Sequence, residues 1–258
     1  MNVRPARRSA VALVVLAAGA SAQSFNIDVG QAGSVPPPAT YAGAGEAGVW
    51  NSVTAAHITP FTPGPTPQDD LLVDLDGNPT GVGFHQFGGM DLVTDAMDPS
   101  VTGDDATLLN DYLATHSATL ENCMYLNGLQ NGTYEVITYA WMPNDPSVDS
   151  LVRFDFVPGN TLIGGAWTGA HVEGVTYSRD IIEVTDGRIG WHSGIPAGGA
   201  LFPGAAFNGA QVRLLPVAGV PASTTSGLAL LGTLLAGAGA LRLRKRRLRA
   251  PEGLTRGE

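Results

Sequence analysis

Apolar and polar residues alternate in short runs through the middle of the chain, and Gly, Pro, Asn and Asp interrupt the runs every few residues. This is the pattern of an all-β domain. Phe25 to Val29 (FNIDV) alternates. Leu71 to Val73 and Val82 to Phe84 flank Asp76-Gly77-Asn78, a turn signal. Leu120 to Leu126 runs into Asn127-Gly128, and Asn131-Gly132 follows. Thr133 to Trp141 (TYEVITYAW) is β-branched and aromatic, the composition that suits a pleated, half-buried surface. Leu151 to Val157 alternates, Ile181 to Val184 and Arg188 to His192 flank an Asp-Gly turn, and Ala210 to Leu215 closes the domain. Asp104 to His116 (DDATLLNDYLATH) is the one window with helical spacing: Leu108, Leu109, Tyr112 and Leu113 share a face, and Asp104 or Asp105 is placed to cap it. Residues 33–48 and 59–70 are rich in proline, which cannot donate to a ladder, so both are expected as loops. A single helix among about ten strands predicts a β-sandwich with a helical insertion.

The charge distribution changes the picture. The whole chain carries a net −9, but its basic residues cluster at the ends: Arg4, Arg7 and Arg8 at the start and seven more from Arg242 to Arg256. Only Arg153, Arg179, Arg188 and Arg213 lie between, against 21 of the 23 acids. A domain this acidic repels nucleic acid and anionic lipid. Cys123 is the only cysteine, so no intramolecular disulfide exists, and its apolar setting (NCMYL) suits a small buried hydrophobe.

The first 22 residues have a basic start, an apolar stretch from Ala10 to about Gly19, and Ala20-Ser21-Ala22. Small residues at −3 and −1, Ala20 and Ala22, fit a signal peptidase, so cleavage is expected after Ala22 following export by the Sec machinery. Residues 216–226 form a turn-prone linker, 227–243 an apolar Leu/Ala/Gly segment, and 244–258 a basic end. A helix from Thr225 to Leu243 would rise ~28 Å at ~1.5 Å per residue, just enough to span a bilayer. Arg242, Arg244, Lys245, Arg246 and Arg247 would stop transfer and stay in the cytoplasm. The expected protein is an exported body, residues 23–215, tethered at the cell envelope by its C-terminus.

Val220-Pro221-Ala222-Ser223, then LALLG at 228–232, then Arg244 to Arg247, resembles the PEP-CTERM sorting domain of exported bacterial proteins. That resemblance covers residues 219–247 and implies an exosortase-type membrane peptidase as partner. The family's Pro-Glu-Pro is Pro221-Ala222-Ser223 here, so two signature positions differ. Leu215-Pro216-Val217-Ala218-Gly219 offers a rival tail, a sortase-like LPxTG motif with Ala for Thr, and a plain C-terminal anchor is the third reading. In the body, Asn127 to Val136 (NGLQNGTYEV) resembles a hairpin of galactose-binding-like and malectin-like jelly rolls. Asp186-Gly187, Asn208 to Val212 and the FNIDVG opening resemble their late hairpin, their last strand and the first strand that pairs with it. The fold class implied is mainly β: a jelly-roll-like antiparallel β-sandwich with one short helix, plus an N-terminal signal helix and a C-terminal transmembrane helix.

Candidate chemistry is sparse. Asp74, Asp76 and Asn78 alternate as Ca²⁺ ligands do, but positions 6 and 12 of an EF-hand counted from Asp74 are Pro79 and His85, so a hairpin turn explains the same letters. No other cofactor is implied. Gly190-Trp191-His192-Ser193-Gly194 has its serine one place too late for a hydrolase elbow. Trp141, Trp167, His171 and Trp191 lie in or beside late strands, where exposed rings would stack on sugars and buried ones would fill the core. The reading is a non-enzymatic surface protein that binds carbohydrate or an exopolysaccharide matrix. A structural component without a small ligand and an envelope hydrolase are the alternatives.

Overall fold

The computed structural model describes residues 23–30, 34–53, 70–87, 90–93, 98–115, 121–143, 145, 147–155, 157–194 and 205–216. The signal segment with Ala20 and Ala22, the motif Val220 to Ser223, the apolar segment 227–243 and the basic residues from Arg242 to Arg247 lie outside them. Among the described residues no helix is long and apolar enough to cross a membrane. The β domain lies within Met1–Leu215.

That domain is mainly β, a two-sheet sandwich with one short helix. Its strands are β1 (Ser24–Val29), β2 (Trp50–Val53), β3 (Asp70–Val73), β4 (Pro79–Phe87), β5 (Met90–Val93), β6 (Tyr112–Thr115) and β7 (Glu121–Asn127). After these come β8 (Gly132–Tyr139), β9 (Ser150–Phe154), β10 (Thr161–Ile163), β11 (Tyr177–Val184), β12 (Arg188–Gly194), β13 (Ala206–Phe207) and β14 (Gly209–Leu214). The five-stranded sheet runs β11-β8-β14-β1-β2, the six-stranded sheet β10-β9-β12-β7-β4-β3, and a small third sheet β13-β6-β5. The first strand does pair with the last, antiparallel, with Asn26 opposite Gln211. One pairing departs from the antiparallel expectation: β2 runs parallel to β1.

The inner faces supply the main core. Phe25, Ile27, Tyr134, Val136, Ile182, Val184 and Val212 of the five-stranded sheet meet Phe84, Met124, Leu126, Val152, Phe154, Ile189 and Trp191 of the six-stranded one. Alternation along each strand sends these residues inward and their neighbours outward. The β7–β8 and β11–β12 turns are stitched together by Asn131, whose Nδ2 donates to the Thr185 carbonyl at 2.8 Å and whose Oδ1 accepts from Gly187 N–H at 3.1 Å.

The helix differs from expectation. It spans only Gly103–Leu109, with Thr102 at the N-cap and Asp104 and Asp105 in its first turn. Tyr112–Thr115, expected to continue it, is instead β6, paired with β5 and β13. The apolar periodicity was real, but Leu113 is drawn into the main core while Leu108 and Leu109 enter a second one. Two ladders outweigh a further turn of weak helical propensity.

Candidate functional site

The two sheets present very different outer faces. On the five-stranded sheet that face is covered. Residues 38–49 run across it as a strap, and α1 (Gly103–Leu109) packs beside them. Beneath lie Trp50, Ile137, Tyr139, Trp141, Leu108 and Leu109, with Tyr41, Trp167 and Tyr177 at the margin. The strap is tied by side-chain amides. Gln211 Nε2 donates to the Ala42 and Glu46 carbonyls at 3.1 and 2.9 Å and to Asn26 Oδ1 at 2.9 Å. The Tyr139 hydroxyl donates to Gln211 Oε1 at 2.7 Å and accepts from Ala44 N–H at 2.6 Å. Gly43 has φ +54°, and a Cβ there would collide with the Tyr139 hydroxyl, so the strap can lie this close only with glycine. Burial is the main reason the Tyr139 hydroxyl is pushed well above its usual range.

This arrangement decides the aromatic candidates. Trp141 and Trp191 are both fully buried, so neither has a face to offer a sugar. Trp141 donates from Nε1 to the Gly165 carbonyl at 2.8 Å and stands 6.1 Å, centroid to centroid, from Trp167. Trp191 sits in the main core against Phe84, Phe154 and Phe207. Trp167 is half-buried. His171 joins it edge-on at 5.6 Å and belongs to a three-way link: the Tyr41 hydroxyl donates to Asp105 Oδ1 at 2.6 Å, and His171 Nε2 lies 2.7 Å from that hydroxyl and 3.2 Å from the carboxylate. Burial lowers the His171 pKa, opposed by the Asp105 charge. The link fastens strap, helix and the 164–176 loop.

The metal candidate also resolves into structure. Asp74 is buried, and its Oδ1 accepts from the Asp76 and Asn78 N–H groups at 3.0 and 2.8 Å while Oδ2 accepts from Asn78 Nδ2 at 3.1 Å. These are the bonds of an Asx turn closing the β3–β4 hairpin, and a cation would have to displace them. No group of three or more His, Cys, Asp or Glu among the described residues is placed to hold a metal.

The outer face of the six-stranded sheet carries the chemistry that sequence reasoning missed. A cleft of about 530 Å³ opens from that face across the β11–β12 turn, lined by Tyr125, Asp155, Arg188 and Gly190 on the six-stranded side and by Glu183 at the end of β11 and Asp186 in the turn, among others. Tyr125 on β7 stands directly opposite Gly190 on β12. A Cβ on Gly190 would collide with the Asp155 carboxylate and lie 3.0 Å from the Tyr125 ring, so this glycine is what lets the two side chains close over the strand. Arg188 donates to Asp186 Oδ2 from Nε at 3.0 Å and from Nη2 at 2.5 Å, fixing an ion pair at the rim. Burial raises the Tyr125 pKa, helped by the charges of Cys123 and Asp155 and opposed by Arg153 and Arg188. Behind Asp155, His192 Nε2 lies 2.8 Å from its Oδ1, and His192 Nδ1 lies 3.1 Å from Cys123 Sγ. The legible signal was the two-residue period: Cys123 and Tyr125, and Gly190 and His192, each share a face once the strands are drawn. Their register was not legible.

No family model and no curated protein matches the chain. Among solved structures there is a distant match to malectin-like domains of plant receptor kinase ectodomains. The plant receptor-like kinase ANX1 aligns at 12% identity over 74% of this chain and 48% of its own, with a TM-score of 0.43. The complex of the plant peptide RALF23 with FER and LLG2 aligns at 12% identity over 79% of this chain and 42% of the other, TM-score 0.42. An exo-β-1,3-galactanase from Phanerochaete chrysosporium, solved with β-1,3-galactotriose, aligns at 14% identity over 50% of this chain and 27% of its own, TM-score 0.31. The chain spans less than half the length of each of these three structures.

Proposed function

We propose that this chain is an exported, envelope-held β-sandwich that binds a carbohydrate in the cleft on its six-stranded sheet and performs no turnover on it. The carrying observation is the cleft itself: about 530 Å³, open to solvent, with the Tyr125 ring over Gly190 and the Asp186–Arg188 pair at the rim. Sugar sites combine one aromatic surface, which covers the apolar face of a pyranose, with a few charged or amide groups that bond its hydroxyls. An acidic rim favours a neutral glycan over a uronic-acid polymer, because like charges repel. Export and tethering rest on the signal-like start and the PEP-CTERM-like tail.

Calorimetric titration of the full-length protein with neutral oligosaccharides tests the binding reading. Binding that Tyr125→Ala weakens at least about tenfold, with an unchanged melting temperature, is the expected result. Binding that survives Tyr125→Ala, or none across neutral glycans, overturns it. Intact mass of the protein from its own cells tests the address: the expected species lacks residues 1–22. The burial of Trp141 and Trp191 favours one second reading, a structural coat component with no small ligand, and a failed titration would select it.

A further inference from the structure

Cys123 and His192 are direct cross-strand partners in the β7–β12 ladder, so the backbone itself holds their side chains together. Sγ lies 3.1 Å from Nδ1, and Nε2 on the far side of the ring lies 2.8 Å from Asp155 Oδ1. An imidazole held between a thiol and a carboxylate can take the thiol proton and keep the resulting charge. Cys123 is half-buried, not enclosed, and Asp155 lines the cleft. We propose that Cys123 is a nucleophilic thiol, with His192 as its base and Asp155 positioning the ring, and that its reaction partner is a hydroperoxide.

The surroundings of the sulfur select that class over a carbonyl compound. Carbonyl attack needs N–H donors aimed at a developing oxyanion. Cys123 lies in mid-strand between β12 and β4, opposite His192 on one side and Phe87 on the other, so among the described residues the backbone N–H groups of these strands are committed to ladders. Attack on a peroxide requires no such hole. Sγ forms a bond to the terminal peroxide oxygen, the O–O bond breaks, and the thiol proton, carried by His192, passes to the departing oxygen. Sulfur is oxidised by two electrons to a sulfenic acid, and the peroxide is reduced to an alcohol, or to water when it is hydrogen peroxide. Because the chain has no second cysteine, no intramolecular disulfide follows, and the sulfenic acid is either reduced by an external thiol or oxidised by a second peroxide to the sulfinic acid. The site does not turn over by itself, and it does not depend on what sugar fills the cleft.

The full-length protein, treated with hydrogen peroxide and trapped with dimedone, is read by intact mass. One adduct per chain is expected, formed about tenfold more slowly in His192→Gln and about threefold more slowly in Asp155→Asn at pH 7. The rate of iodoacetamide alkylation is expected to inflect below the ordinary thiol value of about 8.5. Asp155 is partly exposed, so its variant carries the test if His192→Gln fails to fold. Absence of an adduct on the folded protein overturns the proposal. So does an alkylation inflection at or above about 8.5 that the substitutions leave unmoved.

Discussion

The outer faces of the two sheets began from similar sequence. Both come from strands of alternating apolar and polar residues, and both carry aromatic side chains next to polar ones. On the five-stranded sheet the polar residues became mortar: Asn26, Gln211 and Tyr139 spend their hydrogen-bonding capacity on the carbonyls and N–H groups of the strap. On the six-stranded sheet Tyr125, Asp155 and Arg188 border an open cleft, with His192 and Cys123 linked behind it. The lesson is that an aromatic or amide residue on an outer face has no fixed meaning. What covers the face decides whether it stabilises or is available to bind.

The sharpest way to break this comparison is to remove a large residue shared by the sandwich as a whole. Trp191→Ala empties the space between Phe84, Phe154 and Phe207 and is expected to cost about 3–5 kcal/mol, read by urea unfolding. A loss below about 1 kcal/mol would mean that the ring does not fill the core. Next comes the strap. Gln211→Ala takes one of two donors from the Ala42 and Glu46 carbonyls, the amide donor from Asn26 Oδ1 and the acceptor from the buried Tyr139 hydroxyl, and is expected to cost about 2 kcal/mol. It should also raise hydrogen exchange in residues 38–49 while leaving exchange in β7 and β12 unchanged. If both faces loosen together, they are one cooperative unit and the contrast between them fails.

The smallest effect is a pH dependence confined to the covered face. Burial lowers the His171 pKa beneath its ordinary 6.5, so the unfolded chain takes up this proton first. The stability tied to neutral His171 is complete above about pH 6.5 and is lost as the pH falls below it. Asp111 runs the other way: burial raises it from 3.8 to about 6, so the folded chain holds this proton longer. Its contribution is complete below about pH 3.8 and is lost as the pH rises through 6. Asp28, raised by burial and then by the charge of Asp111, has the same sign. Asp111→Asn is therefore expected to raise stability at pH 7 by about 1 kcal/mol and to change it little at pH 4. Melting temperatures at the two pH values decide it, and an equal change at both would show that the carboxyl group is not what the fold resists.

Much of the fold was legible because local chemistry demands it. Asp76-Gly77-Asn78 and Asp186-Gly187 announced their turns, and Gly77 and Gly187 do take the positive φ those turns need. The strand from Thr133 was plain from its β-branched and aromatic residues, and the pairing of Phe25–Val29 with Ala210–Val212 was anticipated. The helix was half legible, since apolar spacing at Leu108 and Leu109 continued into Tyr112 and Leu113, which a strand then claimed. The site was barely legible. Cys123 read as a small buried hydrophobe, yet it is half-buried beside His192, which is 69 residues away, and Asp155 is 37 residues from His192.

By itself, then, the sequence determined the β character, the turns and the acidic middle. These depend on backbone preferences, net charge and short motifs, each set within a few neighbouring residues. Tertiary structure alone decided which outer face would be covered, that Asn26 and Asp28 would be buried although they alternate with core residues, and that a thiol, an imidazole and a carboxylate would meet. Those outcomes turn on strand register, on the path of a glycine-rich strap and on a glycine at residue 190, where one added methyl group would push Tyr125 and Asp155 from the cleft wall.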